Sequence, residues 1–153
     1  MAEKTFWEKY NPAALFSSAV GKDFAEEKQM QFYPESIGHL DQADAFRHML
    51  WLGEMQRKFG TLPASAVGAF NELINSPDHP LDTRMDKHNN ALALKKMQGA
   101  KSQEDILRIA QELMKKAAPV NRMDEYQRVE ADNPFYIGDF AINNPKLFES
   151  TIK

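Results

Sequence analysis

Residues 103–118, QEDILRIAQELMKKAA, carry the most regular pattern in the chain, and their reading sets the fold class. Apolar residues recur at steps of three and four, the period of a helix buried along one side. Ser102 and Asp105 have the form of a capping box before it, and Pro119 ends it. Similar punctuation continues toward the N-terminus. Asp41 is a good N-cap for 42–60, QADAFRHMLWLGEMQRKFG, with Gly60 as its stop. Pro63 opens a small-residue helix, PASAVGAFNELIN, ended by Ser76-Pro77. After the loop SPDHPLD, a fourth helix is expected from about Thr83 to Gln98, closed by Gly99. Asn11-Pro12 opens a helix reaching about Gln31, with Gly21 as a break point, and FYPESIGHL (32–40) reads as a loop.

Toward the C-terminus the pattern fades. Residues 120–153 have aromatic side chains but no long period, with Pro134 and Pro145 as breakers. One short helix and an irregular tail packed on the bundle are expected there. The fold class is therefore all-α: a single compact bundle of about five or six helices with an irregular C-terminal tail. With 153 residues the chain suits one domain, 1–153, able to bury a continuous core. There is no internal repeat.

Composition narrows function without naming it. Hydrophobic residues are 42% and charged residues 27%, a globular balance, and the net charge of −3 argues against nucleic acid as the partner. No cysteine is present, which removes disulfides, thiolate metal sites and a Cys nucleophile. No run of about 18 apolar residues occurs, so no transmembrane helix is expected. The N-terminal residues, MAEKTFWEKYNPAAL, lack the apolar core of a signal peptide. Synthesis as a soluble cytoplasmic protein is expected, with any passage outward by a specialised secretion route or by lysis.

Two stretches carry candidate chemistry. In 42–60, Asp44, His48, Trp51 and Met55 fall on one stripe, with Asp44 and His48 one turn apart. A carboxylate so placed can orient an imidazole, or both can reach one ion; an ordinary helix-surface pair is the alternative. In and just before RMDKHNNALAL (84–94), Asp86 and Asp82 suit a helix start, where acidic groups meet the dipole. Asn89 and Asn90 lie too deep for capping, and each costs on the order of 0.5 kcal/mol against Ala. Glu72 sits between these stretches among apolar neighbours, where burial would demand a partner. His39 and His79 read as solvated loop residues. Trp7, Trp51 and the phenylalanines read as core.

DAFRHMLW and MDKHNNALAL together resemble the paired signatures of an uncharacterised helical domain of bacterial polymorphic toxins and effectors and of phage-linked proteins. That pattern runs Asp-Ala-x-Arg-His, an aromatic, a downstream His-Glu, then Met-Asp-x-His-Asn-Asn. Asp44, Ala45, Arg47 and His48 match its first part, and Met85, Asp86, His88, Asn89 and Asn90 its last. Glu72 matches the intervening Glu, whereas Asn71 stands where the pattern has His. The similarity covers about residues 40–95 and leaves about 120–153 as an extension.

The resemblance points to an antibacterial effector or toxin acting on a cell-envelope substrate, peptidoglycan or lipid, and the His and carboxylate residues on three helices add the expectation of a hydrolase. A cognate immunity protein is then the implied partner. In that reading His48 is base or metal ligand, Asp44 orients it, and Glu72 is an acid/base group. Asp86 and His88 bind metal or position water, and Arg47, Asn89 and Asn90 hold substrate. A His/carboxylate set of His48, Asp86 and His88 suits a divalent metal such as zinc. The alternative is a non-enzymatic interaction protein, such as a phage or mobile-element protein binding a host factor, whose polar residues form a buried network.

Overall fold

The computed structural model describes residues 21–36, 41–74 and 80–138, with the backbone alone for 70–74, 80–83 and 123. The expected helix start at Asn11-Pro12, the loop histidines His39 and His79, and the tail beyond 138 lie outside these residues. Among the described residues, six helices and two short strands follow in order: α1 (Lys22–Phe32), α2 (Gln42–Phe59), α3 (Thr61–Ile74), α4 (Pro80–Lys96), α5 (Gln103–Met114), β1 (Ala118–Val120), α6 (Met123–Tyr126) and β2 (Phe135–Ile137). The all-α expectation holds.

Local signals account for most helix ends. Asp41 Oδ1 accepts the Asp44 amide at 3.0 Å and starts α2. Its Oδ2 accepts the Ser36 hydroxyl, so the preceding turn is fastened to the same carboxylate. Gly60, at φ 89°, stops α2. Ser102 Oγ accepts the Asp105 amide at 3.1 Å, and Asp105 Oδ2 returns a bond from the Lys101 amide at 2.9 Å. The capping box thus reaches one residue further back than the usual form.

Boundaries of three helices differ from expectation, and α3 opens at Thr61 rather than Pro63. α4 begins at Pro80 rather than about Thr83, because proline at the first helical position loses no bond. Asp82 is then inside the first turn instead of capping it. α5 ends at Met114, and Ala118–Val120 turns into strand, so Pro119 lies in β1 and not at a helix terminus.

α2 is the axis of the molecule. It packs against α1, α3, α4, α5 and β2. Phe46, Met49, Leu50, Leu52 and Met55 are almost wholly buried along it, each contributing about 1.5–3 kcal/mol. One core joins Phe46, Met49 and Leu50 to Phe24 of α1, Leu92 of α4 and Met97 just past its end, and Ile106, Ala110 and Leu113 of α5. A second joins Met55 to Ala64 and Val67 of α3. α5 covers one side, burying Ile106, Ala110 and Leu113 at the steps the sequence shows. Gly53 allows the approach of α4 and α5, since a Cβ there would collide with Met97 Sδ and press on Ile106 Cγ2.

The C-terminal segment is more ordered than the sequence suggests. β1 and β2 pair in parallel, with Ala118 opposite Phe135 and Val120 opposite Ile137. Val120, Phe135 and Ile137 form a third core with Met85 of α4. Ala118 donates to the Pro134 carbonyl and Gly138 to the Val120 carbonyl. Ala118 and Val120 therefore face β2, and Pro119 faces outward. An edge residue without an N–H gives a further strand little to pair with.

Replacing Ser102 by Ala removes the α5 cap and is expected to cost about 1 kcal/mol. Chemical denaturation should show a lower midpoint with an unchanged slope.

Candidate functional site

His88, Asn89 and Asn90 lie in the middle of α4, where each has a different neighbour. Asn89 is 1% exposed. Its Nδ2 donates to the Phe135 carbonyl at 2.8 Å, and its Oδ1 accepts the Phe135 amide at 3.1 Å. Phe135 is the β2 residue whose backbone groups point away from β1. The carboxamide has the donor and acceptor of a peptide unit, so it completes β2 as a neighbouring strand would. His88 adds a second tie, its Nε2–H donating to the Asn133 carbonyl at 2.6 Å. The imidazole packs against the Phe135 ring at 5.2 Å and the edge of Tyr126 at 6.1 Å. These two residues hold the C-terminal segment on the bundle.

Asn90 points elsewhere. A Cβ on Gly68 of α3 would lie 3.2 Å from Asn90 Nδ2 and 3.5 Å from Leu52 of α2. Three helices therefore meet at Leu52, Gly68 and Asn90, and the missing side chain at 68 lets them. Asn90 Oδ1 is buried there with no hydrogen-bond donor among the described residues.

The first signature is divided in the same way. Arg47 Nη2 donates to Asp44 Oδ1 at 2.8 Å, and Nη1 donates to Gln29 of α1 at 3.1 Å. Asp44 and Arg47 thus tie α2 to α1. His48 is half-buried, with its ring 5.7 Å from Trp51 in an edge-on arrangement. Asp86 on α4 is also half-buried.

Helix register relates these positions. Gln56 Nε2 donates to the Leu94 carbonyl at 3.0 Å and to Thr61 Oγ1 at 2.8 Å, locking α2 to α4 and to the start of α3. Position 56 is thus level with 94, and one turn back 52 is level with 90 and 68. The short connections make α3 antiparallel to both neighbours. A further turn in the same direction reaches His48, position 72 and Asp86, each four residues from the last level. The side chain of Glu72 is outside the described residues. Among those described, no three His, Asp or Glu side chains gather to hold a metal ion.

Sequence reasoning missed Glu54. It is wholly buried, with Oε1 accepting Arg57 Nε at 2.7 Å and Oε2 lacking a partner among the described residues. A Cβ on Gly21 would lie 3.0 Å from the Glu54 Cβ, so the start of α1 rests on it. The available signal was its position four residues after Leu50 on the apolar side of α2. A pocket of about 360 Å³ opens beside the α2 N-terminus, between Tyr33, Asp41 and Tyr136. Burial, and then the neighbouring Tyr136, push the Tyr33 phenol above its ordinary pKa.

Asn89→Ala leaves two buried backbone groups unpaired and should cost about 2–4 kcal/mol. Asn89→Asp should not restore stability, because a carboxylate cannot donate to the Phe135 carbonyl. Denaturant unfolding, with hydrogen exchange at the Phe135 amide, checks both variants.

A family model matches residues 6–119; its description is a domain of unknown function, DUF6973. The match ends within β1, so the segment held by His88 and Asn89 lies beyond it. No curated protein and no solved structure matches the chain. The chain belongs to the DUF6973 family.

Proposed function

We propose that the chain is an effector or toxin-like hydrolase whose reacting groups are His48, Glu72 and Asp86, drawn from three helices at one level. The observation that carries this reading is the register: contacts at Gly68 and at Gln56 bring the three positions level. The Oδ1 of Asn90, one turn away and without a donor among the described residues, adds a buried acceptor suited to a water or a substrate N–H. His48 takes a proton from water as the water oxygen bonds to the scissile centre. Glu72 in its protonated form passes a proton to the departing group. Asp86 orients the water. No step is routed through a metal.

Four residues take roles other than those the sequence led one to expect. Arg47 is assigned to the tie between α2 and α1, with Asp44, rather than to substrate. His88 and Asn89 are assigned to holding the C-terminal segment. A cell-envelope bond as the target, and an immunity protein as partner, rest on the similarity of the paired signatures alone.

The bonds of His88 and Asn89 favour a second reading, a non-enzymatic interaction protein whose polar residues serve architecture. His48→Ala, Glu72→Gln and Asp86→Asn separate the two. The hydrolase reading expects each to lower toxicity or turnover by about 100-fold or more with little change in melting temperature. Full activity in folded variants removes that reading. Loss of melting temperature without loss of activity supports the architectural one. Comparing cytoplasmic with periplasmic expression in a growth assay locates the target.

A further inference from the structure

We propose that the outer face of α4 is a docking surface for an acidic, partly apolar segment of a partner protein. A groove of about 470 Å³ runs between α4 and the α6–β2 connection, with Arg84, Lys87 and Lys95 along it and Ala91, Leu92 and Ala131 as apolar lining. Beside it lies a second groove of about 530 Å³, bordered by Lys96, Lys115 and Lys116. Asp132 separates the two, pairing with Lys95 at 3.1 Å and Lys96 at 3.6 Å. Six cations thus face two carboxylates, Asp132 and Glu112, on a chain whose net charge is −3. Lys87, Lys115 and Lys116 are exposed and have no carboxylate partner among the described residues.

The shape of this face selects among polyanions. From Arg84 to Lys95 the cations extend about 16 Å along the helix, too long for a single small anion. Single-stranded nucleic acid needs open aromatic faces for its bases. Tyr126 offers none: its face is covered by the Arg84 guanidinium at 5.3 Å, and its ring packs on Phe135 and His88. Five of the six cations are lysines, point charges without the fork that grips phosphate. A bilayer is flat, and its headgroups reach a recessed floor poorly. An acidic polypeptide satisfies both parts of the surface, placing apolar side chains on Ala91 and Ala131 and carboxylates on the lysines. This inference does not rest on the hydrolase reading, because neither His48 nor Asp86 lines either groove.

Fluorescence anisotropy of the full chain with three probes tests it. They are a labelled glutamate-rich peptide with leucine at every third or fourth position, a labelled oligothymidylate, and phosphatidylserine-containing vesicles. The peptide should bind at least about tenfold more tightly than the other two. Lys87→Glu with Lys95→Glu, both exposed positions, should weaken it by about tenfold or more while circular dichroism stays unchanged, and added salt should weaken it too. Absence of peptide binding, equal or tighter binding of oligothymidylate or vesicles, or an unaltered affinity in the folded double variant overturns the proposal.

Discussion

The amide and carbonyl of Phe135 are buried on the side of β2 that has no neighbouring strand, and the Asn89 carboxamide pairs both. A buried backbone group without a partner costs as much as a lost hydrogen bond, so a two-stranded sheet of three-residue strands is hard to sustain alone. With Asn89 supplying the second edge, Met85, Val120, Phe135 and Ile137 can close an apolar cluster over it. The C-terminal segment is thereby attached to the helix that also forms one wall of the central bundle. What looks in the sequence like a helix-breaking polar run is a helix lending a side chain to a sheet.

The same accounting governs α2. Enclosed by four helices and a strand, it leaves little water for any polar group on its surface. Gln56 and Asp44 are bonded across to other elements or along the helix, and Glu54 meets Arg57 three residues on. Gln56 matters most for the arrangement of the helices because its bond to the Leu94 carbonyl sets the relative height of two of them. Height, in turn, decides which side chains of α2, α3 and α4 share a level. Gly68 acts in the same sense by omission, since a side chain there would press on Asn90 and Leu52.

Much of the scaffold was legible because its signals are local. Asp41 and Ser102 cap within three residues, and Gly60 and Gly99 permit positive φ where a helix must stop. The one-sided period of α5 needed only a solvent on one side and a core on the other. α4 was readable as a helix but not in its role, because its buried face includes two asparagines as well as Met85, Leu92 and Ala93. β1 and β2 were not readable, since three residues are too few to display alternation and their pairing spans a connecting helix. The candidate site was half legible. The residue types and spacing of His48, Asp86 and Asn90 were apparent, whereas the bonds that Asp44, His88 and Asn89 make to other parts of the fold were not.

The sequence by itself determined that there are helices and where most of their caps and stops lie, that they amount to a bundle, and which polar residues are out of place on them. These follow from contacts within one or two turns, which any stretch of chain carries with it. Only the tertiary structure decided what the misplaced residues meet. Asn89 bonds a residue 46 positions away, and Glu54 lies under the start of α1. A buried amide has the same local signature whether its partner is a substrate or a backbone, because the partner is brought by packing and not by the neighbouring sequence.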